Sequence, residues 1–170
     1  MRIKQLQGYS IQPTPPINPL VGDRWLETTV NSTPRYAWTW MWSGLHWLSP
    51  EQHWNVSAFN QSADRIEYLD IGNRQIQALE FRSRTIHSVS QNDINHFRFV
   101  LSATTANNSK TQISEILTVG IESNLIADKN NNLSSVHNLE GALLEIACFA
   151  ENSSGVFSGS VNFRYQFFRS

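Results

Sequence analysis

Hydrophobic and polar positions alternate most clearly at the end of the chain. In "SVNFRYQFFRS", Val161, Phe163, Tyr165 and Phe167 fall on one face, and Ser160, Asn162, Arg164 and Gln166 on the other. A period of two marks a strand with one buried face. "NHFRFVLSA" repeats the pattern, with Phe97, Phe99, Leu101 and Ala103 inward. "QISEILTVGI" carries Ile113, Leu117, Val119 and Ile121 and reads as a more deeply buried strand. "GALLEIACFAE" is nearly all apolar, as a central strand is. "RIEYLDIG" and "QALEFRSRTI" are two further strand candidates with a fainter alternation. Turn residues punctuate the series: "GN" at 72–73, "SQNDIN" at 90–95, "TANNSK" at 105–110, "DKNNN" at 128–132 and "ENSSG" at 151–155. "SSVHNLEGAL" suits a short helical turn, and no long amphipathic helix is visible. Strands at these intervals predict a β-sandwich, jelly-roll-like, over residues 53–170.

The first 52 residues have another texture. "RIKQLQGYSI" is a segment able to add a strand to a sheet. "QPTPPINPLVGD" follows, with four closely spaced prolines that hold it extended and non-helical. "DRWLETT", "RYAWTWMW" and "LHWLS" are strand candidates, the last two joined by a two-residue Ser-Gly turn. Together they predict a Trp-rich antiparallel meander, too small to be stable without packing on something else. The fold class is therefore all-β: a meander module over 1–52, then the sandwich over 53–170.

Composition supports strands and turns. Only 16% of the 170 residues are charged, and Asn, Ser, Gln and Thr take their place. The net charge is -1 and there is no basic run, which argues against nucleic acid as a partner. No stretch has transmembrane length, and "MRIKQLQGYS" lacks the apolar core of a secretory signal, so synthesis in a cytoplasm is expected, without membrane insertion. Cys148 is the single cysteine and sits in an apolar strand, as a small buried hydrophobe does. Apolar residues on nominally outer strand faces, such as Ile116 and Phe168, suggest a subunit interface.

No motif of catalysis or metal binding is present. His46, His53, His87, His96 and His137 show no metal-ligand spacing, and there is no G-x-S-x-G, P-loop or G-x-G-x-x-G. "DKNNNLSS" resembles an oxygen-rich loop but offers one carboxylate, Asp128, and reads as an Asn-rich turn. Glu145 stands out inside the most apolar strand; it faces outward by alternation or bonds across a subunit axis. Neither an enzyme activity nor a cofactor nor a metal is expected.

The one concentrated feature is aromatic. By alternation Tyr36, Trp38, Trp40 and Trp42 project from one side of their strand, with Trp47 on the partner strand and Trp25 nearby. Indole faces stack on pyranose rings and also fill small cores. The row therefore reads as packing for a meander with no core of its own, or as a sugar platform.

The stretch "PTPPINPLVGDRWLETTVNSTPRYAWTWMWSGLHWLS" carries Gly22, Asp23, Trp25 and Thr28, then Trp40 or Trp42, Gly44 and Trp47. It resembles a short module common in phage tail-fibre and related virion proteins and in contractile injection systems. The resemblance implies a structural component of a phage-type virion or tail-like particle (fibre, baseplate adaptor or appendage), assembled as a homotrimer with other virion or tail proteins. It also implies a virion location; the alternative is a carbohydrate- or receptor-binding tip whose Trp-rich face takes a host-surface glycan. The extra Trp38 departs from the pattern. Within such a module Gly22 and Gly44 would form turns, Asp23 would brace the first turn, and Trp25 and Trp47 would form the apolar face.

Overall fold

The structure is a computed structural model, and it describes residues 9–28, 38–57, 65–72, 74–88, 96–104, 107–115, 117–120, 127–133, 136–137, 143–151 and 156–170. All regular structure in these residues is strand. Two compact units form: Met1–Glu51 together with Gln166–Ser170, and Gln52–Tyr165.

The first unit contains β1 (Tyr9–Gln12), β2 (Arg24–Glu27), β3 (Trp38–Trp42) and β4 (Trp47–Leu48). β2, β3 and β4 form the antiparallel meander that the aromatic pattern predicts. β1 pairs with β2 in parallel, Ser10 beside Trp25. A parallel neighbour demands a crossover, and the proline-rich residues 13–23 provide it without helix; the segment is not extended throughout as expected, because it bends, takes a positive φ at Asn18 and turns at Leu20–Asp23. On the other side of β4 lie the last residues of β14 (Val156–Arg169), with Phe168 opposite Leu48 and Arg169 opposite Trp47.

The second unit holds β5 (Gln52–Ser57), β6 (Arg65–Asp70), β7 (Gln75–Ser88), β8 (His96–Thr104), β9 (Lys110–Gln112), β10 (Leu117–Gly120), β11 (Ala127–Asn132), β12 (Val136–His137) and β13 (Leu143–Glu151), with residues 156–165 of β14. Their pairing is nested. β5 pairs β14, β6 pairs β13, β7 pairs β11 and β12, and β8 pairs β9 and β10. The chain is thus one long antiparallel ribbon, closed at its middle near residue 107. Rolling the ribbon brings β14 beside β7 and β13 beside β8. The resulting orders, β5-β14-β7-β11/β12 and β6-β13-β8-β9/β10, are those of a jelly roll with two Greek keys. β13 is interior to its sheet, as its nearly all-apolar run predicts.

The core lies between the two sheets. Ile76, Ala78, Phe81, Val161 and Phe163 come from one, and Phe99, Leu101, Ala103, Leu144 and Ile146 from the other. Cys148 is buried on this inner face. In β14, Val161, Phe163, Tyr165 and Phe167 are buried and Asn162, Arg164 and Gln166 half-buried, the alternation read from the sequence.

Several expectations need correction. "QISEILTVGI" is not one strand. Ile113 and Ser114 both donate their N–H to Leu101 O, at 2.8 and 3.2 Å, which is a β-bulge, and the run resumes only at β10. Ser114 Oγ then accepts the Leu101 N–H at 3.0 Å, replacing the ladder carbonyl displaced by the bulge. "DKNNN" is not a turn but most of β11, paired with Glu80–Arg84 and tied down by Asn130 Nδ2 donating to Glu80 Oε1. Within "SSVHNLEGAL", Val136 and His137 form β12 rather than helix. Phe168, expected at a subunit interface, is 6% exposed and covered by the His46 ring, 5.0 Å away. Glu145 faces outward and finds its partner within the chain, Lys110 Nζ at 2.5 Å. Ile116 lies outside the described residues.

Candidate functional site

The first unit gathers five of the six tryptophans. Cross-strand register sets their arrangement: Trp25 lies opposite Trp40, and Trp42 opposite Trp47, so their rings share one face. Trp25 and Trp40 stack with centroids 6.0 Å apart, and Trp47 meets Trp25 edge-on at 5.6 Å. Trp38 leans on Trp40 at 6.3 Å and meets Phe167 edge-on at 5.6 Å, while Trp42 packs on Trp47 at 5.4 Å. Polar edges are satisfied as well. Trp25 Nε1 donates to Gln12 O at 2.8 Å, and Trp40 Nε1 to Glu27 Oε2 at 2.9 Å.

A cation closes the cluster. The Arg169 guanidinium lies 5.8 Å from the Trp25 ring and 5.4 Å from the Trp40 ring, and pairs with Glu27 Oε1 at 2.7 Å. Distances under 6 Å over an indole are those of a cation–π contact. Ser49, 2% exposed, seats this C-terminal strand: its N–H donates to Phe167 O, and its Oγ accepts the Phe167 N–H.

Two turns flank the cluster at one end. Leu20–Asp23 is a four-residue turn in which Asp23 N–H donates to Leu20 O and Leu20 N–H donates to Asp23 Oδ2, both at 2.9 Å. Gly22, its third residue, has φ of 91°, the left-handed geometry that a type II turn places there. The hairpin tip consists of Gly44 and Leu45, one position later than the expected Ser43–Gly44. Trp42 sits opposite Trp47, and Ser43 N–H donates to His46 O at 3.0 Å, which leaves those two residues at the apex. Gly44 has φ of 99°, as the first residue of a primed hairpin turn must. Ser43 Oγ accepts from the N–H groups of Leu45 and His46. The turns touch: Val21 Cγ2 lies 3.2 Å from where a Cβ on Gly44 would stand.

The candidate residues thus come together as follows. Trp25, Trp40 and Trp47 are buried and form a small core. Trp38 and Trp42 are half-buried on the same face. Gly22, Asp23 and Gly44 shape the two turns. Tyr36 lies outside the described residues. Thr28 follows β2, its N–H directed at Gln12 O at 3.3 Å. Sequence reading missed Glu27, Phe167 and Arg169. No local pattern links Arg169 to Trp25, because 144 positions separate them; a charge directly after two phenylalanines at the end of the strand was the available signal.

Among the described residues there is no group of three or more His, Cys, Asp or Glu side chains able to hold a metal ion, and no helix long and apolar enough to cross a membrane.

No family model and no curated protein sequence matches this chain. Among solved structures it is similar to the T13 viral particle of infectious bursal disease virus, at 9% identity and a TM-score of 0.49. That alignment covers 85% of this chain and 36% of the other. It is also similar to the VP2 subviral particle of the same virus, at 10% identity and a TM-score of 0.45, covering 85% of this chain and 38% of that one. Desmodium yellow mottle tymovirus is a third, at 9% identity and a TM-score of 0.36, covering 72% and 87% respectively. The chain spans little more than a third of the bursal disease virus chains.

Proposed function

We propose that this chain is a non-enzymatic structural component of a phage-type virion or tail-like particle, a fibre, baseplate adaptor or appendage that assembles as a homotrimer. In this reading the jelly roll is the body and the Trp-rich unit the recurring appendage module. The observation that carries the reading is the fate of the Pro–GDxW–W–G–W residues. Gly22 and Gly44 take the positive φ values that their turns need, Asp23 braces the first turn, and Trp25 and Trp47 fill the unit's centre. The residues that carry the resemblance are thus the ones that build the unit, and this supports the reading. A jelly roll serves coats, lectins and cupins alike, so the fold is compatible with this reading without selecting it. The likenesses to virus particles stand at TM-scores of 0.49 and below and are not what the reading rests on.

The test is peptide mass spectrometry on gradient-purified particles from a culture carrying the gene. Co-sedimentation of the chain at constant stoichiometry is expected, and its absence from the particle fraction overturns the proposal.

A second reading, a tip that binds host-surface glycan, draws on the half-buried Trp38 and Trp42, whose rings lie on one face. It requires glycan-dependent tryptophan fluorescence that is lost in Trp38→Ala or Trp42→Ala. A spectrum unchanged across a glycan panel removes it.

A further inference from the structure

The end of the first unit presents apolar side chains to solvent. Leu20 is 74% exposed, Val21 76%, Leu45 71% and the nearby Ile17 89%. Large apolar groups this exposed on two touching turns are unusual for a surface with no partner. The apolar residues of the two turns carry no charge of their own. Residues 12–22 carry none, and His46 is the only titratable side chain in 38–49. Asp23, half-buried at the base of the turn, has an oxygen committed to Leu20 N–H, and exposed Arg24 is bonded to Tyr9 Oη at 3.0 Å.

The backbone of the tip is equally telling. The N–H groups of Leu20, Gly22, Asp23, Ser43, Leu45 and His46 all have acceptors inside the unit. Four prolines in the crossover have no N–H to satisfy. Removing water from a tip costs most when polar groups lose partners. Here that cost is reduced, because these six donors already have protein partners.

We propose that copies of this chain meet through these tips, with Ile17, Leu20, Val21 and Leu45 packed against the same residues of a second copy. An uncharged surface can face its own copy without like-charge repulsion, whereas it offers nothing for a charged partner or an anionic membrane to recognise. The four side chains expose on the order of 500 Å² per copy, so a pair would bury roughly 1,000 Å², the lower bound of a specific interface. The inference rests on the reading of an assembling protein and names the surface that assembles.

The test is multi-angle light scattering and sedimentation equilibrium of the full chain beside Val21→Glu and Leu45→Glu, singly and together. Both positions are exposed, so circular dichroism and tryptophan emission should match the parent. The expected result is an oligomer in the parent and self-association weakened roughly tenfold or more by each glutamate. An oligomer that persists in the double variant overturns the tip proposal and leaves the virion reading intact, because another face then assembles. A parent at 19.4 kDa throughout the concentration range also overturns it. So does a monomer that floats with phosphatidylcholine–phosphatidylglycerol vesicles through the same residues.

Discussion

At the scale of single residues, two buried serines make opposite demands on the fold. Ser114 Oγ accepts the Leu101 N–H at the bulge and donates to Glu115 O. Ser83 is fully buried, and its hydroxyl has no hydrogen-bond partner among the described residues. Removing an acceptor from a buried N–H costs about 1–3 kcal/mol, whereas removing an unpaired buried hydroxyl removes a penalty. Ser114→Ala is therefore expected to lower the urea midpoint clearly, and Ser83→Ala to leave it unchanged or raise it. Tyr165 yields a pH-dependent counterpart. Desolvation by burial raises its pKa, with Arg74 acting in the opposite direction. The unfolded chain then releases the phenol proton first. The associated stability is present below the ordinary tyrosine range and is lost as pH climbs through it. Tyr165→Phe should flatten the alkaline fall of the midpoint; an identical pH profile would rule out this titration as its cause.

At the scale of strands, the contrast between what the sequence discloses and what it hides has a physical source. The alternation in 160–165 is visible because that strand keeps one phase against the core of the second unit, and 144–148 reads as a central strand because both of its phases are buried. β7 reads faintly because its phase slips: Ile76 and Ala78 face inward, then Phe81 and Ser83. "DKNNN" resembles a turn because Asn favours loops, yet Glu80 and the β7 ladder hold it in a strand. The bulge at Ile113–Ser114 is similarly invisible, since nothing local marks which carbonyl accepts twice. The motif glycines, by contrast, were legible, because only turns with φ above zero require them. Glu145 shows how a polar residue survives in an apolar strand. Its side chain is 8% exposed and that of its partner Lys110 53%. Lys110→Met leaves a buried carboxylate without its cation, while Glu145→Gln leaves an ammonium already in water. The first is expected to destabilise more than the second, with Glu145→Gln costing about 1 kcal/mol or less in chemical denaturation. The reverse order would mean that the pair is solvated in practice.

At the scale of the whole molecule, the C-terminal five residues belong to the unit that begins the chain. Phe167 supports Trp38, Phe168 covers His46, and Arg169 bridges Glu27 to the Trp25–Trp40 stack. Deleting Gln166–Ser170 should red-shift tryptophan emission and abolish a thermal transition of the first unit. The second unit, whose β14 segment ends at Tyr165, should retain its own transition in calorimetry. Unchanged emission after this deletion would show that the tryptophans pack without those residues.

This closing strand has a consequence for biosynthesis. Leu48 leaves the ribosome 120 residues before Phe168, its partner. At about 5–20 residues per second, roughly 6–24 s of translation separate them. During that interval the nascent module lacks the strand that completes its sheet, and its indoles are open to chaperones and to neighbouring chains on the same polysome. Vectorial synthesis thus makes a module that emerges ahead of the jelly roll wait for the jelly roll's last strand before it can mature.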